Sequence, residues 1–155
     1  LLTADYRLCT RGSTFGLPET GLGILPGAGG SSDLWAHIGY ANALRMGMAG
    51  ERINGDEAQR INLVQECYAD WAKAMVRAES LSNSVVKTSP TASAAFKSAV
   101  LNAMGAEANK RNDIEAQAYE HCVNTGEAGI GRKNFKSIIA GAEVEWGPYT
   151  DFKLK

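Results

Sequence analysis

Along residues Tyr6–Thr10 the chain alternates apolar and polar positions in β-favouring types, which predicts a short strand. Arg11-Gly12-Ser13 supplies a turn, and Thr14-Phe15-Gly16-Leu17 reads as a second short strand. From Pro18 to Gly30 glycine and proline dominate, so a loop with a specified path is expected there. Ser31 or Ser32 is placed to cap a helix, and Leu34, Ile38, Ala41 and Leu44 then fall on one helical face. Gly50 closes that helix. Asn54-Gly55 marks a turn, Asp56 is the expected cap of a short helix over residues 57–60, and Leu63-Val64 reads as a buried strand.

Trp71, Met75, Ala78, Leu81 and Val85 predict a longer amphipathic helix. Ser89-Pro90 is a start signal, because proline at the first helical position gives up an N–H that would have no partner. Phe96, Val100 and Ala103 follow at helical spacing, and one more helix is expected from Glu107 to Val123. The pattern is short strands and a glycine loop, then helices almost to the end, with no internal repeat. Two or three short strands do not make a self-sufficient sheet, so further strands are expected upstream of Leu1.

Composition narrows the function classes. The 155 residues suffice for one domain with a core, and 45% hydrophobic with 21% charged residues is the globular range. A formal net charge of -1 gives no basic field for nucleic acid or an anionic membrane surface. No apolar run approaches the ~20 residues that cross a bilayer, and a secretory leader is not expected from the opening residues. Cys9, Cys67 and Cys122 form neither a disulfide framework nor a metal knuckle, and read most simply as reduced thiols of a cytoplasmic protein. His37 and His121 are too isolated to build a zinc site with them, so no metal is expected.

The chemistry concentrates in residues 15–30, where Glu19 is the one ionisable side chain. Behind Pro18 and among apolar neighbours, a carboxylate is desolvated and suited to general acid/base work. Taken alone, a Pro-Glu in a loop is more often a solvated turn. Gly27, Gly29 and Gly30 precede a helix and can expose backbone N–H donors, though a tight loop that only needs glycine explains them as well. A phosphate-cradling loop is excluded because no lysine follows these glycines. The spacing Gly23, Gly27, Gly29 also matches short-chain dehydrogenases, but no tyrosine has a lysine four residues on, and Pro26 fits that turn badly.

The order F-G-L-P-E-x-G-L-G-I-x-P-G-x-G-G, followed by Leu34, Ile38-Gly39 and Ala43-Leu44, resembles the enoyl-CoA hydratase/isomerase (crotonase) family. The likeness continues through residues 48–53, Glu57-Ala58, Asn62-Leu63-Val64 and Ser89-Pro90 with Lys97, covering about residues 1–100. The resemblance implies an α/β fold: a crotonase-like spiral of β-β-α units, here its carboxy-terminal part over residues 1–88, followed by a helical oligomerisation region over 89–155. It implies a homotrimer or hexamer acting on an acyl-coenzyme A substrate, with no cofactor besides that thioester. Glu19 would be the catalytic glutamate that moves a proton beside the thioester carbonyl. Gly27 would hold the attacking water through its backbone N–H, and Leu17 would lie near the acyl chain. Addition of water to a 2-enoyl-CoA is the reaction expected first. Double-bond isomerisation, hydrolysis of a β-dicarbonyl bond, and a non-catalytic assembly subunit are the alternatives.

The family's oxyanion donors, most of its coenzyme A contacts and the second glutamate of its hydratases would all precede Leu1. An amino-terminal part, missing or separately supplied, is therefore expected. The basic closing segment common in the family is replaced by residues 136–148, where Arg132, Lys133 and Lys136 lie nearby without being read as sites. Three bland readings complete the picture. Asp33 is a helix-dipole carboxylate, His121 a partly buried surface histidine, and Trp71 and Phe96 are core or oligomer contacts.

Overall fold

A computed structural model describes residues 1–154 as two compact units, Leu1–Glu79 and a second from Ser80 onward. Four strands carry the first unit: β1 (Leu8–Thr10), β2 (Thr14–Phe15), β3 (Ile53–Asn54) and β4 (Glu66–Tyr68). β1 pairs in parallel with β4 and β2 antiparallel with β3, giving two two-stranded sheets. Helices α1 (Leu34–Ile38), α2 (Tyr40–Ala49) and α3 (Gly55–Arg60) lie between β2 and β4, and α4 (Trp71–Val86) runs on across the boundary between the units.

The first unit packs around Leu34, Ile38, Met46, Ile53, Ala58, Ile61, Leu63 and Val64, with Cys9 at the strand side. Each fully buried aliphatic side chain of this size contributes about 1.5–3 kcal/mol. Through this core runs one charge. Arg7 is only 6% exposed, and its guanidinium donates to the carbonyls of Leu63 (2.7 Å) and Ala4 (3.2 Å) and approaches His37 Nδ1 (3.4 Å). Its backbone N–H donates to Gln65 Oε1, and its carbonyl accepts from Gln65 N–H. Buried charge is tolerated only when its donors are matched in this way.

Several local expectations give way. The face Leu34–Leu44 is not one helix, because Gly39 adopts φ 78°, ψ 157° and divides it into α1 and α2. Neither serine caps α1. Asp33 holds the cap position without a side-chain bond, while Ser31 Oγ donates to the Pro26 carbonyl at 2.6 Å. The short helix is capped two residues earlier than expected: Asn54 Oδ1, not Asp56, accepts from Glu57 N–H at 2.9 Å. Leu63 and Val64 are buried, but they lie in the turn before β4, with both amides bonded to Ala58 O.

In the second unit α5 (Pro90–Ala103) and α6 (Ala108–Asn124) form a hairpin, followed by α7 (Glu127–Lys133) and α8 (Phe135–Ile139). Ser89 Oγ caps α5 by accepting from Ala92 N–H at 3.0 Å, and Pro90 occupies the first turn. The cluster at its centre is small: Ala95, Ala118 and Phe152, with Ala99, Cys122 and Leu154 packed against it. A non-helical carboxy-terminal segment brings Phe152 there. It is tied by Thr150 N–H to Thr91 Oγ1 (2.9 Å), by Thr150 O to His121 Nε2 (3.2 Å) and by Trp146 Nε1 to Lys87 O (3.0 Å). No helix among the described residues is long and apolar enough to cross a membrane.

Candidate active site

Residues 15–30 fold as a sequence of tight turns. After β2, Pro18 stands at the start of a 3-10 turn over Glu19–Leu22, closed by Gly23 in the left-handed region. The Glu19 carbonyl accepts from Ile24 N–H at 3.2 Å, so backbone bonds hold the turn from within. Thr20 holds it from outside: its hydroxyl donates to Gly47 O at 2.7 Å, at the end of α2. Those last carbonyls of a helix have no intrahelical donor, so one side chain serves both elements.

Glu19 is half-buried, and its Oε2 is enclosed although no described residue gives it a hydrogen bond. Such an orphaned carboxylate oxygen costs roughly 1–3 kcal/mol. Further along, Gly30 N–H closes a turn on Gly27 O, and Gly29 O accepts from both Asp33 and Leu34 N–H. The Gly27 N–H itself has no acceptor among the described residues.

A cavity of about 330 Å³ opens beside these turns, lined mainly by Leu2, Phe15, Leu17, Leu34, Met46 and Leu63, with Gly27 and Gly30 on its wall. Two of the three residues singled out in the sequence, Leu17 and Gly27, thus face one space. Glu19 is not among the residues lining that cavity. It follows Leu17 by two residues, on the turn pinned by Thr20. The wall is mainly apolar, with the Gly27 backbone along it.

The sequence offered no role for Arg7 or Thr20. Arg7 fixes the carbonyl of Leu63, a residue of the cavity wall, and Thr20 fixes the Glu19 turn. A charged residue inside an otherwise strand-like apolar stretch was the available signal for Arg7. Thr20 carried none. Asp33 and His121 stand as expected, the first at a helix start and the second half-buried. Trp71 and Phe96 are exposed and take no part in the core of this chain.

The fold and the site place the chain in the class of α/β proteins built on β-β-α units with a helical carboxy-terminal region. The family model for enoyl-CoA hydratase/isomerase matches residues 1–139, and the chain belongs to that family. It is 33% identical over 135 residues to the Bacillus subtilis protein YngF, covering 87% of this chain and 52% of YngF. It is 31% identical to the short-chain-enoyl-CoA hydratase of Clostridium acetobutylicum, covering 80% of this chain and 47% of that protein. Among solved structures, the enoyl-CoA hydratase from Bacillus anthracis superposes with a TM-score of 0.84 at 27% identity, over 94% of this chain and 55% of that one. The chain spans about half the length of the curated relatives it matches. The crotonase fold and its helical carboxy-terminal region stand as the sequence implied.

Proposed function

We propose that this chain supplies the acid/base half of an enoyl-CoA hydratase, adding water across the double bond of a 2-enoyl-CoA. The observation that carries the reading is the Glu19 carboxylate, with Oε2 enclosed yet unbonded, two residues from Leu17 on the wall of an apolar cavity. The relatives named as hydratases support it.

In this reading the acyl chain lies along Leu17 and its apolar neighbours, and the Gly27 N–H orients the water. Glu19 passes a proton at the carbon next to the thioester carbonyl. Charge developing on that carbonyl oxygen needs fixed donors in a dry site, which elsewhere in the family come from the part preceding this segment. The thioester is the substrate, and no further cofactor enters the chemistry. Residues 89–155 are proposed as the surface through which copies assemble as trimers or hexamers. Double-bond isomerisation is the second reading, favoured by one feature: Glu19 is the only carboxylate in residues 15–30.

The test is Glu19→Gln in the complete protein containing this chain, assayed with crotonyl-CoA for hydration and with a 3-enoyl-CoA for isomerisation. Hydration is expected to fall by about 10²–10⁴-fold with the fold intact. Full hydration by the variant would sink the mechanism, and wild-type turnover of the 3-enoyl substrate alone would select isomerisation.

A further inference from the structure

Cys9 and Cys67 are far apart in the chain, yet the parallel register of β1 and β4 sets them directly beside one another. Register partners on neighbouring strands turn their side chains to the same face. A strand spacing of about 4.8 Å falls inside the Cα separation of roughly 4.4–6.8 Å that a disulfide accommodates. Both sulfurs converge on one backbone position. Cys9 Sγ donates to the Gly55 carbonyl oxygen at 3.7 Å, and Cys67 is near enough to raise the Cys9 thiol. A Cβ at position 55 would stand 2.9 Å from Cys67 Sγ and 2.2 Å from Thr10 O, so glycine there is what leaves room for the pair.

We propose that Cys9 and Cys67 are a redox modification site, closed to an intrachain disulfide by small-molecule disulfides of the glutathione class. Cys67 is the point of entry, because it is half-buried while Cys9 is only 8% exposed. The Cys67 thiolate attacks one sulfur of the small disulfide, whose S–S bond breaks to release one thiolate and leave a mixed disulfide on Cys67. Cys9 then loses its proton to solvent and attacks the Cys67 sulfur, expelling the second small thiolate. Two protein thiols are oxidised, and one external disulfide is reduced to two thiols.

The order of the steps has a physical basis. Burial, then the neighbouring Cys67, push the Cys9 thiol up to about 12. It therefore cannot lead the attack, since the thiolate is the nucleophile. Converting Cys67 to a mixed disulfide removes the contributions that came from Cys67, and Cys9 ionises more readily as the resolving thiol. The bond joins the strand that leads into residues 14–19 to the strand that follows the cavity residue Leu63.

The experiment incubates the complete protein, as wild type and as Cys122→Ser, with oxidised glutathione, followed by alkylation, trypsin and mass spectrometry. The expected product is peptide 8–11 joined to peptide 61–73, two hydrogens lighter than their sum and separated by dithiothreitol. Cys9→Ser should stop at glutathione on Cys67. Recovery of Cys9 as an alkylated thiol in the wild-type protein, with Cys67 either alkylated or held as the mixed disulfide, overturns the proposal. The assay reads sulfur chemistry alone, so its result is independent of which acyl-CoA reaction the protein performs.

Discussion

The two units bury their large side chains to different extents. The unit Leu1–Glu79 closes on its own large side chains: Ile38, Met46, Ile53, Ile61, Leu63 and Val64 are each 4% exposed or less. The unit from Ser80 onward buries fewer large side chains, chiefly Ile114 and Phe152 beside Ala95 and Ala118, and leaves Phe96 72%, Leu101 58% and Met104 62% exposed. Alanine contacts let α5 and α6 approach closely but bury little area, so that hairpin leans on caps and on the tail around Thr150. The first unit therefore has a core of large aliphatic side chains, and the second a smaller one.

The contrast is broken most directly by one substitution in each unit. Leu63→Ala is expected to cost about 2–5 kcal/mol in a denaturant titration, since Leu63 is buried at the centre of the first unit. Phe96→Ser is expected to stay within about 0.5 kcal/mol for the unassociated chain and to lower self-association instead, read by sedimentation. If Phe96→Ser unfolds the protein as strongly as Leu63→Ala, the second unit has a core of the ordinary kind. A smaller effect tests its dependence on caps. Ser89→Ala should cost about 1 kcal/mol, seen as earlier loss of helical circular dichroism.

The smallest effect lies in the first unit and depends on pH. Hydrogen bonds from Arg60, then Arg45, lower the Glu57 carboxyl to about 2 from its usual value of 4.5. A folded value below the unfolded one means the stabilisation is complete above about pH 4.5 and is lost as pH falls toward about 2. Urea titrations of wild type and Glu57→Gln should therefore converge through that window. Parallel curves across it would remove the ion pairs from the account.

How much of this could be read in advance differs between the same two units. In the second, α5 and α6 follow from periodicity and from Ser89-Pro90, because local signals decide local helices. α7 and α8 were not anticipated: glycines at 129 and 131 dilute the apolar stripe of α7, and α8 is only five residues long. In the first, the glycine turns and Glu19 stood out, as did the turn at Asn54-Gly55. The pairing of β1 with β4 did not, because three-residue strands carry too little pattern to name a partner so far along the chain. For the same reason the two thiols looked unrelated until the register brought them together. The division at Gly39 was hidden by a regular apolar stripe on both sides of it. A backbone torsion outweighed the pattern.

The Thr20 hydroxyl has one more consequence. It joins the turn that bears Glu19 to the last carbonyls of α2, so the position of the carboxylate is partly a property of a helix end almost thirty residues away. The run Phe15–Gly30 is therefore not a portable motif. Grafted onto another scaffold without a helix terminus at the right place, it would keep its internal backbone bonds and lose the bearing from which Glu19 is aimed.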